Sequence, residues 1–225
     1  ATEIEFEEFP SGSYELIENK IQLRSDWLNK NRGSVIELIE FLVKTQERSI
    51  RSGCFGLHEW AMVLGAEEVR HEKWPLRLSQ EKIRATIDEV GLRCTHFDAF
   101  RFFTPIAAPL NPLQLTPIDR NEVEQPGCLH ANMDLYKHAQ RFAPIVGSEI
   151  VRAAFSLAKD IRTVDMQTAP YDLAELGVTP IPIETQAGRD VFAELQIGFA
   201  QRAQTLRTEL ISALKSAYVS AEIKG

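Results

Sequence analysis

Ser148-Glu149-Ile150-Val151-Arg152-Ala153-Ala154-Phe155-Ser156-Leu157-Ala158-Lys159-Asp160-Ile161-Arg162-Thr163-Val164-Asp165-Met166 decides the fold class. Ile150, Val151, Ala154, Phe155, Ala158 and Ile161 recur at steps of three and four, the period of one helix face, and no proline or glycine interrupts them. The spacing predicts a helix from Ser148 to about Met166. Upstream, Leu129 to Phe142 predicts another helix. Downstream, a loop over 169–188 carries Pro170, Gly177, Pro180, Pro182 and Gly188. A long amphipathic helix follows it, with Phe192, Leu195, Phe199, Ala203, Leu206, Leu210 and Leu214 at nearly heptad spacing.

The same reading extends towards the amino end. Ser34 and Glu37 form an apparent capping box before Val35, Leu38, Ile39 and Leu42, predicting a helix from Ser34 to about Arg48. Gly53 to Met62 reads as a loop entering a short apolar helix. Ser79 caps and Gly91 stops a helix between them. Leu92 to Phe97 predicts a short strand, with Asp98 capping a turn of helix through Phe103. Pro105, Pro109, Pro112, Pro117 and Pro126 make the following segment extended or looping, and Ile106, Leu110, Leu113, Leu115 and Ile118 give it apolar groups to bury. Residues 1–32 are poorly defined, with Phe6, Phe9, Tyr14 and Trp27 expected to pack on the main body. The expected fold is mainly α: a single helical domain over 1–225, with a Pro-rich extended segment and little or no β-structure.

At 225 residues, 44% hydrophobic and 25% charged, the chain can bury a full core. No run of 18 apolar residues suggests a membrane span, and Cys54, Cys94 and Cys128 make no CxxC pair, so a reducing, cytoplasmic setting is expected. The net charge of −7 offers no general attraction to a phosphate backbone, which weighs against nucleic acid as a partner. The acidic start (Glu3, Glu5, Glu7, Glu8, Glu15, Glu18) supplies no basic arm. Opening at Ala1 rather than Met, the chain is either a processed start or part of something longer.

All five histidines fall between His58 and His138, and acidic residues attend them: His58-Glu59, His71-Glu72, His96-Phe97-Asp98, His130 with Asp134. Imidazole and carboxylate together suit proton transfer or divalent-metal ligation near neutral pH. His130, Asp134, Lys137 and His138 share one predicted helix face, opposite Leu129, Met133 and Tyr136; the alternative is a face that is merely wet. Asp98 and Arg101, set among Phe97, Phe100, Phe102 and Phe103, form either a structural ion pair or a perturbed site, unless Asp98 is a plain N-cap. Arg162 and Asp165 continue an apolar stripe, so they are a buried ion pair or hold a ligand, with Tyr171 and Asp172 nearby. The glycine spacing excludes GxGxxG, LxGxG and GxSxG sites, and neither a P-loop nor HExxH occurs.

Several of these segments together resemble a bacterial, largely actinobacterial family that goes by the name 3-methyladenine DNA glycosylase. They are Gly53-Cys54-Phe55-Gly56-Leu57-His58-Glu59-Trp60-Ala61-Met62-Val63, Arg70-His71, Trp74-Pro75-Leu76-Arg77-Leu78 and Thr95-His96-Phe97-Asp98-Ala99-Phe100-Arg101-Phe102-Phe103-Thr104-Pro105. Glu124 to His130, Met133 to Lys137, Asp160 to Arg162, Asp165-Met166 and Pro170 to Leu173 complete the set, over roughly residues 50–210.

The resemblance implies a hydrolase of an N-glycosidic or similar bond in a nucleobase-containing substrate. In that chemistry a carboxylate activates water or steadies a cationic sugar while a donor protonates the departing base. Asp98 or Asp134 would take the first role and His96 or His130 the second. Glu59, His58, Lys137, Arg101, Arg162, Asp165 and Tyr171 would bind substrate, with Trp60, Phe55 and Phe100 offered to a flat ring. One alternative is a metal-dependent hydrolase or oxygen-using enzyme in which His58, His96, Asp98, His130 and Asp134 share a divalent ion. Another is a helical protein that binds a small ligand or a partner without catalysis, and the final helix offers a homodimer seam.

Overall fold

Two short strands, β1 (Tyr14–Ile17) and β2 (Lys20–Leu23), pair antiparallel across a tight turn at Glu18 and Asn19. Both turn residues have positive φ, the geometry that matches strand twist in a two-residue hairpin. The computed structural model describes residues 12–69 and 71–222, with side chains to 218; Phe6, Phe9 and Arg70 lie outside the described residues. The chain is 62% helical with this hairpin as its small sheet, the mainly α architecture expected. No helix among the described residues is long and apolar enough to cross a membrane.

Helix α1 runs Ser25–Glu47, nine residues ahead of the expected start at Ser34. The S-x-x-E pattern at Ser34 and Glu37 therefore falls inside the helix and caps nothing. Asp26 lies in the first turn, its Oδ1 accepting from the Trp27 backbone N–H at 2.9 Å, and Arg24 holds the N-cap position without a side-chain cap. Trp27 packs against the core, as expected, and the Tyr218 hydroxyl donates to the Leu28 carbonyl at 3.0 Å.

Helix α2 (Leu57–Ala61) starts from a loop with Gly53, Phe55 and Gly56 all at positive φ. Helix α3 (Gln80–Val90) has Ser79 as cap, its Oγ accepting from the Lys82 N–H, and Gly91 as stop, as its sequence predicts. Leu92 to Phe97 is not a strand. The Asn111 side chain takes the place of a neighbouring strand: its Oδ1 accepts from Cys94 N–H at 2.8 Å and its Nδ2 donates to Cys94 O at 3.1 Å. Helix α4 (Phe97–Phe100) follows with His96, not Asp98, at its N-cap position.

The Pro-rich stretch winds over the surface through short turns and ends in α5 (Arg120–Val123). Helix α6 (Leu129–Arg141), the single turn α7 (Ala143–Val146), α8 (Ser148–Thr168) and the long α9 (Gln186–Glu222) make up the remaining body. Helix α6 packs chiefly on α8, and α9 crosses α1, α6 and α8.

Two helix faces differ from expectation, and a third serves a different end. On α8 the buried positions are Ala154, Leu157, Ile161, Val164, Asp165 and Thr168, while Phe155 is exposed and meets the Tyr136 ring. On α6 the core side is Leu129, Ala131, Asn132, Leu135, His138 and Ala139, so His138 leaves the proposed polar face and packs edge-on against Phe41. On α9, Phe192, Phe199, Ala203, Leu206, Leu210 and Leu214 are buried within the chain itself. That stripe is spent on the intramolecular core, so it no longer carries the expectation of a homodimer seam.

Candidate functional site

Trp60 and Gly56 anchor α2 to the C-terminal end of α8. The Trp60 indole N–H donates to the Thr168 carbonyl at 2.8 Å, and a Cβ at Gly56 would stand 2.5 Å from Thr168 Oγ1. This docking carries His58 to Asp165. Nε2 of His58 lies 2.9 Å from Asp165 Oδ1, with both side chains buried, and Cys54 Sγ lies 3.7 Å from His58 Nδ1. Asp165 Oδ2 also accepts from Arg162 Nη1 at 2.6 Å, and the same nitrogen stands 3.7 Å from Glu59 Oε1.

Burial opposes charge on both members of the pair, yet each holds the other ionised. The Asp165 carboxylate lifts the His58 imidazole well above its ordinary range, and the His58 charge holds Asp165 below the usual carboxylate range. His130, on α6, sits edge-on to His58 with ring centroids 4.4 Å apart, and stacks on His96 at 5.2 Å. Burial, reinforced by the His58 charge, pushes His130 down to about 3, so it is neutral between its two neighbours.

The polar chain continues beyond His130. His96 Nδ1 donates to Glu124 Oε2 at 2.9 Å, again with both side chains buried. Arg120 stands 3.4 Å from Glu124 and 2.9 Å from Asp134 Oδ2. Lys137 Nζ lies 3.6 Å from Asp134 and 3.9 Å from Asp98, while Arg101 Nε is 3.6 Å from Asp98. Among the described residues two groups of possible metal donors result, each with its atoms within 4.8 Å: His58, His130 and Asp165, and separately His96, Asp98 and Asp134.

The five histidine and aspartate positions proposed to share one ion divide between these groups: His58 and His130 fall in the first with Asp165, while His96, Asp98 and Asp134 form the second, with His130 stacked on His96 between them. Asp98 and Arg101 differ in setting from the ring-enclosed pair expected: their side chains are half exposed, and the Arg101 guanidinium covers Phe102 from outside. Trp60 is fully buried and structural, so it offers no face to a ligand. Phe55 packs on Phe192, and Phe100 on Phe103.

Beside this chain a cavity of about 100 Å³ opens at the end of α8. Glu59, Arg162, Asp165 and Tyr171, all expected at the site, line it with His71 and Trp74. Two crossing backbone bonds build its wall: Arg77 N–H to Pro170 O at 2.8 Å and Asp172 N–H to Pro75 O at 2.7 Å. They pair Leu76 with Tyr171 as an antiparallel bridge, two residues on from Trp74, and His71 meets the Tyr171 ring edge-on at 5.4 Å. An Arg77–Glu184 ion pair, mostly buried, closes the loop behind. Glu124, Arg120, Cys54 and Trp74 were not picked out as site residues by their sequence. Arg120 and Glu124 do stand four apart, but no periodicity marks them. No family model, curated protein or solved structure matches this chain.

Proposed function

We propose that this protein is a hydrolase of an N-glycosidic or similar bond in a small nucleobase-containing substrate, held in the Trp74–Tyr171 cavity. One observation carries the reading: a carboxylate and a guanidinium, Glu59 and Arg162, face an aromatic-walled cavity that is backed by a buried His58–Asp165 ion pair. Flat heterocycles bind such walls by stacking. Glu59, only 12% exposed at its side chain, would steady positive charge on the sugar or accept a proton from water. Arg162 spends a single nitrogen on Asp165 and keeps further N–H groups for the ring or its carbonyl. Asp165 and His58 hold that guanidinium in place rather than touch substrate. The small cavity and the −7 net charge favour a free small molecule over a DNA duplex. The resemblance running from Gly53 to Leu173 implies the same bond class.

The test is base release from a panel of nucleosides and nucleotides, followed by chromatography, with Trp74 fluorescence reporting binding. Glu59→Gln should lower turnover by about 10²–10⁴-fold with binding little changed, and Trp74→Ala should weaken binding. Absence of both base release and Trp74-dependent binding across the panel sinks the reading.

A second reading has its own observation. Cys54, on the loop before α2, lies in line with His58 of α2 and Asp165 of α8, a thiol beside an imidazole that a buried carboxylate orients. Acyl transfer through Cys54 would follow, and Cys54→Ser would then abolish a turnover that Glu59→Gln leaves intact.

A further inference from the structure

We infer that His96, Asp98 and Asp134 bind one divalent transition-metal ion. Their donor atoms lie within 4.8 Å of one another, gathered from the N-cap of α4, its first turn and the middle of α6. The His96 ring is held by a buried carboxylate. Its Nδ1 is committed to Glu124, since a carboxylate only accepts, and both side chains are buried. The remaining Nε2 makes no hydrogen bond among the described residues. A carboxylate behind an imidazole is how metal-binding histidines are commonly fixed in tautomer and direction.

Asp98 and Asp134 are 39% and 19% exposed at their side chains, which leaves open positions for water around an ion. Cations already stand against the two carboxylates: Arg120 Nη2 lies 2.9 Å from Asp134 Oδ2, on a side chain 27% exposed that an ion would displace towards solvent, and Arg101 Nε lies 3.6 Å from Asp98. Lys137 Nζ lies 3.9 Å from Asp98 and 3.6 Å from Asp134, on a side chain that is 58% exposed and free to swing away. One nitrogen with two carboxylates suits zinc, manganese, iron or cobalt.

The other donor group, His58, His130 and Asp165, is the weaker candidate. An ion there would have to break the buried His58–Asp165 and Arg162–Asp165 contacts at 2.9 and 2.6 Å. None of His96, Asp98 and Asp134 lines the Trp74–Tyr171 cavity, so this site and the hydrolase reading can fail separately.

The experiment takes the full, untagged chain, strips it with chelator and titrates it with Zn²⁺, Mn²⁺ and Co²⁺ against a competing indicator. Stoichiometry is read by elemental analysis and the Co²⁺ absorption bands report the ligand set. The expected result is one ion per chain. His96→Ala and Asp134→Asn should each weaken binding by more than tenfold, and Glu124→Gln by about 10–100-fold. Lys137→Met should tighten it, because the competing ammonium is gone. Far-ultraviolet circular dichroism checks folding of each variant, and Asp98→Asn, half exposed, carries the test if His96→Ala unfolds. The inference is overturned if the wild type binds no ion saturably, if Asp98→Asn and Asp134→Asn bind as the wild type does, or if Lys137→Met binds more weakly.

Discussion

His58 and Asp165 stand 107 residues apart in the chain and meet at 2.9 Å, with neither side chain exposed beyond 2%. Breaking such a pair from one side leaves a buried charge without its counterion, at a cost of about 3–5 kcal/mol. Asp165→Asn and His58→Ala should each lower the urea midpoint accordingly. The double variant His58→Leu/Asp165→Leu should lose much less than the sum, since no orphan charge remains.

The same pair sets a pH window. Asp165 is held below the ordinary carboxylate range, so its contribution is present above about pH 4 and is lost as pH falls through its folded value. His58 is raised, so its contribution is whole below about pH 6.5 and is lost as pH climbs through its folded value. Stability from the pair is therefore greatest between those limits. Asp165→Asn should flatten both flanks in denaturation curves measured from pH 3 to 9. Flanks unchanged in that variant would assign the window to other groups.

His138 predicts an acid effect of its own. Burial pushes it down to about 4, and its Nε2 has no hydrogen-bond partner among the described residues. Between that value and about 6.5 the unfolded chain carries a proton that the folded one refuses, so stability declines as pH falls, by up to about 3 kcal/mol. His138→Leu should show a shallower acid slope than the wild type, the carboxylates and His130 supplying what remains. An identical slope in the two proteins would refute the assignment.

Cys54 is the partly open thiol of the three. Cys94 and Cys128 are buried; burial pushes Cys94 up to about 12 and Cys128 well above its ordinary value. Iodoacetamide at neutral pH should therefore modify Cys54 first, as read by peptide mass spectrometry. Preferential labelling of Cys94 or Cys128 would contradict this arrangement.

Gly56 should tolerate no side chain. Its φ of 73° costs an L residue about 1–3 kcal/mol, and a Cβ would collide with Thr168 Oγ1 at 2.5 Å. Gly56→Ala should lower the melting temperature and loosen the Trp60–Thr168 contact. Gly177→Ala, at φ 70° in the same left-handed region with open space around it, should cost only the backbone part. Equal losses at the two positions would remove the collision from the argument.

Much of the helix pattern was legible from local chemistry. Ser79 and Gly91 bracket α3 because a cap and a glycine stop at positive φ are one-residue signals, and the α9 stripe repeats often enough to average out errors. Phe155 was misplaced because it lies only about 100° around the helix from Ala154, so a residue can satisfy the spacing and still face outward. Ser34 and Glu37 imitate a cap, but the helix had already begun at Ser25. The gathering of His58, His96 and His130 was foreshadowed by their crowding with carboxylates. Glu124 and Asn111 were not, since each acts on a partner 28 and 17 residues away from a stretch without period.

Arg48 shows how far from the imidazoles their orientation is decided. It sits just past α1 and its guanidinium donates to the backbone carbonyls of Glu124 at 2.7 Å and Asn121 at 2.5 Å. Those bonds pin the end of a proline-broken segment that has little regular backbone bonding of its own, and Glu124 in turn aims His96. A substitution at the rim of the molecule, touching no histidine, would thus unsettle the direction in which one points.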